Sequence, residues 1–100
     1  MKVALVTGGG TGIGRAAALE LNKIDFVVYV VGRREEELNK TSSLAENKNF
    51  KIIPIKTDIT NGHEVIDLFN KIKNDHGRID LLFNNAGMGA PRVPIEELKE

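Results

Sequence analysis

The sequence predicts an α/β protein, a parallel sheet wound on both faces by helices, and three observations carry that prediction. Residues 3–6 and 26–31 are unbroken apolar runs, which suit strands buried on both faces. Segments with apolar residues at helical spacing follow them, so β and α alternate along the chain. The first strand breaks at Thr7 into a cluster of five glycines, Gly8, Gly9, Gly10, Gly12 and Gly14, and a helical pattern starts there. A strand, a glycine turn and a helix in that order gather free backbone N–H groups at the positive end of a helix, an arrangement that binds phosphate.

The form of the glycine loop narrows the ligand. The general dinucleotide pattern G-x-G-x-x-G fails because Ile13 stands where the third glycine would fall. The spacing from Gly9 to Gly14 suits a P-loop, but Arg15 and Ala16 replace its lysine and hydroxyl residue. Nothing then holds a terminal phosphate or Mg²⁺, which argues against a nucleotide triphosphatase. What remains is T-G-x-x-x-G-x-G, from Thr7 to Gly14.

A chain of 100 residues is one domain at most, with a modest core. Its 14 basic and 14 acidic residues cancel, so charge supports neither a nucleic-acid nor a membrane partner. The absence of cysteine removes disulfides, thiolate metal sites and a thiol nucleophile, and fits a cytoplasmic protein. The first strand begins at once, leaving no room for a signal peptide, and no apolar run approaches membrane-spanning length.

The first helix is expected over residues 13–24, its apolar positions being Ile13, Ala16, Ala17, Leu21 and Ile24, with the alanines keeping the near side thin. Arg15, in its first turn, reads as a solvated arginine, with a phosphate contact as the alternative. The turn at residues 22–25 lacks the glycine that often ends such a helix. The second strand, residues 26–31, leads into Gly32, Arg33 and Arg34. A βαβ unit that prefers NAD presents an acid here, about 20 residues after the glycine loop. This chain has glycine and two arginines, which favours a 2′-phosphate and hence NADP, with NAD as the alternative. A plainer reading pairs the two arginines with Glu35, Glu36 and Glu37 on a wet helix start.

The second helix spans residues 35–46 with Leu38, Thr41 and Ala45 inward, and Ser42 and Ser43 read as surface or packing residues. Residues 50–56 form the third strand; Pro54 removes a ladder donor and places this strand at an edge, giving the order 3-2-1-4. Thr60 and Asn61, with Glu64, offer a cap for the third helix, residues 62–75, whose inner stripe is Val65, Leu68, Phe69 and Ile72. His63 and His76 lie at its two ends without partners at metal-ligand spacing, and read as surface or capping residues. The fourth strand, residues 79–83, runs into Asn84, Asn85, Ala86 and Gly87.

The glycine loop and the N-N-A-G segment together resemble the short-chain dehydrogenase/reductase family over essentially the whole chain, though only its cofactor half. The resemblance implies a Rossmann-type doubly wound parallel sheet, truncated after the fourth strand, forming the N-terminal part of one NAD(P)-binding domain. It implies a phosphate cradle at Gly8, Gly10, Thr11, Gly12, Ile13 and Gly14, and Arg33 facing the 2′-phosphate. It implies that Asp58 accepts from the adenine amino group with the backbone of Ile59 in support, where the alternative for Asp58 is a helix cap. Asn85, Ala86 and Gly87 would form the floor under the ribose. The complete protein would move a hydride between the cofactor and a small-molecule carbonyl or alcohol, as a homo-oligomer with no nucleic-acid or membrane partner.

The family's catalytic tyrosine, with a lysine four residues on and a serine nearby, finds no match. Tyr29 is the single tyrosine, set inside a strand and followed at that distance by Arg33. No catalytic residue is assigned, and binding without turnover is the expectation. A non-catalytic dinucleotide sensor or interaction module, and a relic that no longer binds, remain the alternatives.

Overall fold

Seven elements alternate along residues 1–85, which the structure, a computed structural model, describes. They are β1 (Lys2–Thr7), α1 (Gly12–Lys23), β2 (Phe26–Gly32), α2 (Glu35–Ser43), β3 (Ile52–Lys56), α3 (Gly62–Asp75) and β4 (Leu81–Asn84). All strand pairings are parallel and the order is β3-β2-β1-β4, as expected from the sequence. Pro54 lies in β3, an outer strand, where its missing N–H costs no ladder bond on the open side.

The unbroken apolar character of β1 and β2 has a direct structural reason. Successive side chains of a strand point to opposite faces, and here both faces are covered. Val3, Leu5, Val27, Tyr29 and Val31 pack with Val65, Leu68, Phe69 and Ile72 of α3. Ala4, Val6, Val28 and Val30 pack with Ala18 of α1 and Leu38 of α2. The predicted inner stripe of α3 is the buried one, and Asn61 caps that helix, accepting from the backbone N–H groups of His63 and Glu64.

Some boundaries differ from expectation. β4 starts at Leu81 because the Asp80 carboxylate takes the Val3 N–H at 2.8 Å in place of a ladder carbonyl. α2 ends at Ser43 instead of residue 46, where Ser42 turns its hydroxyl to the Ile52 carbonyl at 2.7 Å.

The α1 face is a correction. Ile13 and Ile24 are 69% and 64% exposed, so neither belongs to the buried stripe. The buried line is Gly14, Ala18 and Asn22, at i, i+4 and i+8, because Gly14 rests against the backbone of Gly8 in the loop after β1. Asn22 is fully buried and satisfied: its amide donates to the Phe50 carbonyl at 2.9 Å and accepts from the Asn47 N–H at 3.0 Å. The missing glycine after α1 is replaced by Asp25, which adopts φ 72° and takes a hydrogen bond from the Asn47 amide at 2.8 Å. Asn22→Ala should therefore cost about 2–3 kcal/mol, since it strands two backbone groups. A urea midpoint indistinguishable from the parent would contradict this role.

Tyr29 is fully buried, and its hydroxyl meets Asp75 Oδ2 at 3.0 Å and His76 Nδ1 at 2.8 Å. Burial, reinforced by the bond to Asp75, pushes the hydroxyl pKa well above the usual tyrosine range, which suits packing and not proton transfer. His76 forms the C-cap of α3, in line with the capping role expected of it. Among the described residues, no helix is long and apolar enough to cross a membrane.

Candidate functional site

The site forms at the carboxyl ends of the parallel strands, where sheets of this type bind ligands. β1 leads into Gly8, whose φ of +65° turns the chain, and the N–H groups of Gly8 and Gly9 converge on the Val31 carbonyl at 2.8 and 3.3 Å. A Cβ built on Gly14 would lie 2.0 Å from the Gly8 carbonyl oxygen, so the first turns of α1 rest directly on the loop. Gly12, at φ +56°, has no neighbour within 4 Å of such a Cβ and faces open space. Thr11 is the N-cap of α1 but makes no side-chain cap bond, and the first turn holds no acid. The positive end of the helix is therefore left uncompensated beside an open space, which suits an anion.

A pocket of about 290 Å³ joins this loop to the end of β2. Gly8, Gly10 and Thr11 line one side, Gly32, Arg33 and Arg34 the other, with Glu37 and Leu38 of α2 also on its wall. Both arginines are exposed, and among the described residues neither forms an ion pair. The plainer expectation, that they pair with the glutamates of α2, does not hold. Glu37 instead pairs with Arg15 at 3.1 Å.

Arg15 itself is the second correction, because it is not a solvated arginine. Its side chain is only 20% exposed. Nε donates to Thr41 Oγ1 at 2.9 Å, and one terminal nitrogen donates to both the carbonyl and the carboxylate of Glu37 at 3.1 Å. The buried Thr41 hydroxyl in turn donates to the Gly9 carbonyl at 2.8 Å. The glycine loop is thus tied to α2 through a hydroxyl and a guanidinium.

At the end of β3, Asp58 Oδ1 accepts from the Thr60 N–H at 3.0 Å and the Thr60 hydroxyl at 2.6 Å. These bonds hold its carboxyl below the usual range, with the charge of Arg33 adding to the effect. Asp58 does not cap α3, since Asn61 does. Ile59 packs on the α3 side of the core. At the end of β4, the Asn85 N–H donates to the Thr7 hydroxyl at 2.8 Å, which donates to Asn84 Oδ1 at 2.9 Å. The Asn85 amide also lies against the glycine loop, 3.1 Å from a Cβ built on Gly14. Ala86 and Gly87 lie outside the described residues.

The family model described as short chain dehydrogenase matches residues 2–100. The chain belongs to the short-chain dehydrogenase family. It is 37% identical over 99 residues to the short-chain dehydrogenase/reductase homolog YusS of Bacillus subtilis (strain 168), covering 98% of this chain and 90% of that protein. It is also similar to the crystal structure of YwfH, described as an NADPH dependent reductase involved in bacilysin biosynthesis. There the identity is 31% and the TM-score 0.81, over 92% of this chain and 40% of that one. The structure of NAD⁺-bound xylitol dehydrogenase matches at 36% identity and TM-score 0.80, over 86% of this chain and 33% of that one. The chain thus spans less than half the length of these two solved proteins.

The fold brings the glycine loop, Arg33, Asp58 and Asn85 to the carboxyl end of the parallel strands. Sequence reasoning missed the roles of Thr7, Arg15 and Thr41. Thr41 did carry a signal: a hydroxyl inside an apolar helix stripe needs a buried partner.

Proposed function

We propose that this short-chain dehydrogenase binds NADP(H) in preference to NAD(H), through the pocket between the glycine loop and the end of β2. The observation that carries the reading is the pairing of Gly32, which offers no carboxylate, with Arg33 and Arg34, exposed and without ion-pair partners among the described residues. Among the similar structures, YwfH is an NADPH dependent reductase and xylitol dehydrogenase is NAD⁺-bound, so the reading rests on the local chemistry of this chain and not on that of its neighbours.

In this reading the N–H groups at the start of α1, with Thr11, Gly12 and Ile13, hold the pyrophosphate. Arg33 pairs with the 2′-phosphate, Asp58 and Ile59 receive the adenine, and Asn85, Ala86 and Gly87 support the ribose. Residues 1–100 form the N-terminal part of one Rossmann domain. The bound cofactor supplies or accepts a hydride, and the whole protein acts on a small carbonyl or alcohol, as a cytoplasmic homo-oligomer. Tyr29, sealed between Asp75 and His76, takes no part in proton transfer.

Titration of the chain with NADPH and with NADH, followed by nicotinamide fluorescence, tests this. NADPH should bind more tightly, and Arg33→Ala should remove about tenfold to a hundredfold of that affinity, the range for hydrogen bonds to charged groups. Equal binding of both cofactors, or a preference for NADH, would refute the proposal.

A further inference from the structure

The pocket proposed for the 2′-phosphate contains a carboxylate. Glu37 lines it together with Arg33 and Arg34, and its side chain is 35% exposed. A free carboxylate there would oppose a phosphate dianion and favour a ribose hydroxyl, as the acid of NAD-preferring sites does. Glu37 is not free, because Arg15 engages its carboxylate at 3.1 Å.

We propose that Arg15 is an internal counter-ion that neutralises Glu37, making the Arg15–Glu37 pair a determinant of preference between phosphorylated and unphosphorylated cofactor. This rests on the NADP(H) reading above.

The position of Arg15 is set by α2 and requires no ligand. Besides the Glu37 carboxylate it donates to the Glu37 carbonyl and to Thr41 Oγ1, and Thr41 is anchored on the Gly9 carbonyl. The guanidinium is therefore held on Glu37, where it offsets the negative charge that Glu37 brings to the pocket wall and leaves Arg33 and Arg34 for the ligand. A salt bridge serving only to dock α1 on α2 would affect both cofactors alike. A counter-ion for Glu37 affects the phosphorylated one selectively.

The ratio of NADPH to NADH affinity is the readout, measured for the parent chain, Arg15→Ala, Arg15→Lys, Glu37→Gln and the double variant Arg15→Ala/Glu37→Gln. Arg15→Ala should lower the ratio by about tenfold, the scale of exposing a charge to a nearby dianion in a partly solvated site. The double variant should restore it, and Arg15→Lys, which keeps the charge, should hold it even if both affinities fall. Glu37→Gln, nearly isosteric, should leave the ratio at or above the parent value. It also keeps the inference testable if Arg15→Ala does not fold, because a ratio lowered by Glu37→Gln overturns it. A parent chain that prefers NADPH, with a ratio unmoved by Arg15→Ala or not restored in the double variant, overturns this inference alone. A parent chain without preference overturns the NADP(H) reading and this inference with it.

Discussion

Gly14→Ala is expected to abolish dinucleotide binding and to destabilise the protein by about 3 kcal/mol, at the upper end for overpacking a close contact. The added Cβ would fall 2.0 Å from the Gly8 carbonyl oxygen and 2.7 Å from its carbon. Both are backbone atoms of a turn fixed by the Gly8 N–H bond to Val31 at 2.8 Å, so no side chain can rotate away. Either α1 lifts from the sheet or the loop shifts, and each movement takes the helix N–H groups from the position proposed for the pyrophosphate. The gain in helix propensity from alanine, about 1 kcal/mol, is too small to offset the clash. Urea denaturation and NADPH titration check the two effects. Gly62→Ala, where nothing lies within 4 Å, is the control and should change neither. A Gly14→Ala protein with parental NADPH affinity would show that the loop does not hold the pyrophosphate.

Gly32→Asp should reverse the cofactor preference while leaving stability nearly unchanged. A Cβ at Gly32 meets only Leu38 Cδ2, at 3.6 Å, which is ordinary contact, and the residue does not have positive φ. The fold therefore admits a side chain at the end of β2. An aspartate there would face the pocket that Arg33 and Arg34 line. Its charge should repel the 2′-phosphate and its oxygens should accept from the ribose hydroxyls, the arrangement of NAD-preferring sites. NADPH affinity should fall by about a hundredfold, the equivalent of roughly 3 kcal/mol between close charges in a partly screened site. Parallel titrations with NADPH and NADH measure this. Retention of NADPH preference would place the 2′-phosphate elsewhere and remove the basis of the NADP(H) reading.

Much of this molecule was legible in its residues because the relevant signals are local. Apolar runs without polar interruption marked β1 and β2 as central strands, Pro54 marked β3 as an outer one, and Asn61 with Glu64 marked the start of α3. The glycine pattern located the turn between β1 and α1, and Gly32 with two arginines located the pocket wall. Each of these depends on backbone geometry or on neighbours a few residues away.

Tertiary structure decided what depends on distant partners. The buried face of α1 is Gly14, Ala18 and Asn22, leaving Ile13 and Ile24 exposed, because one contact between Gly14 and Gly8 sets the rotation of the helix. Asn22 can be buried only because Asn47 and Phe50, from the connection between α2 and β3, supply its partners. Arg15 turned from a surface charge into a structural one because Glu37 and Thr41 lie across the helix interface, 22 and 26 residues away in sequence. The sequence by itself determined where the glycine turn lies and which charges follow the end of β2. Only the folded chain decided which charges are already paired, since pairing depends on which side chains the sheet brings within hydrogen-bond reach.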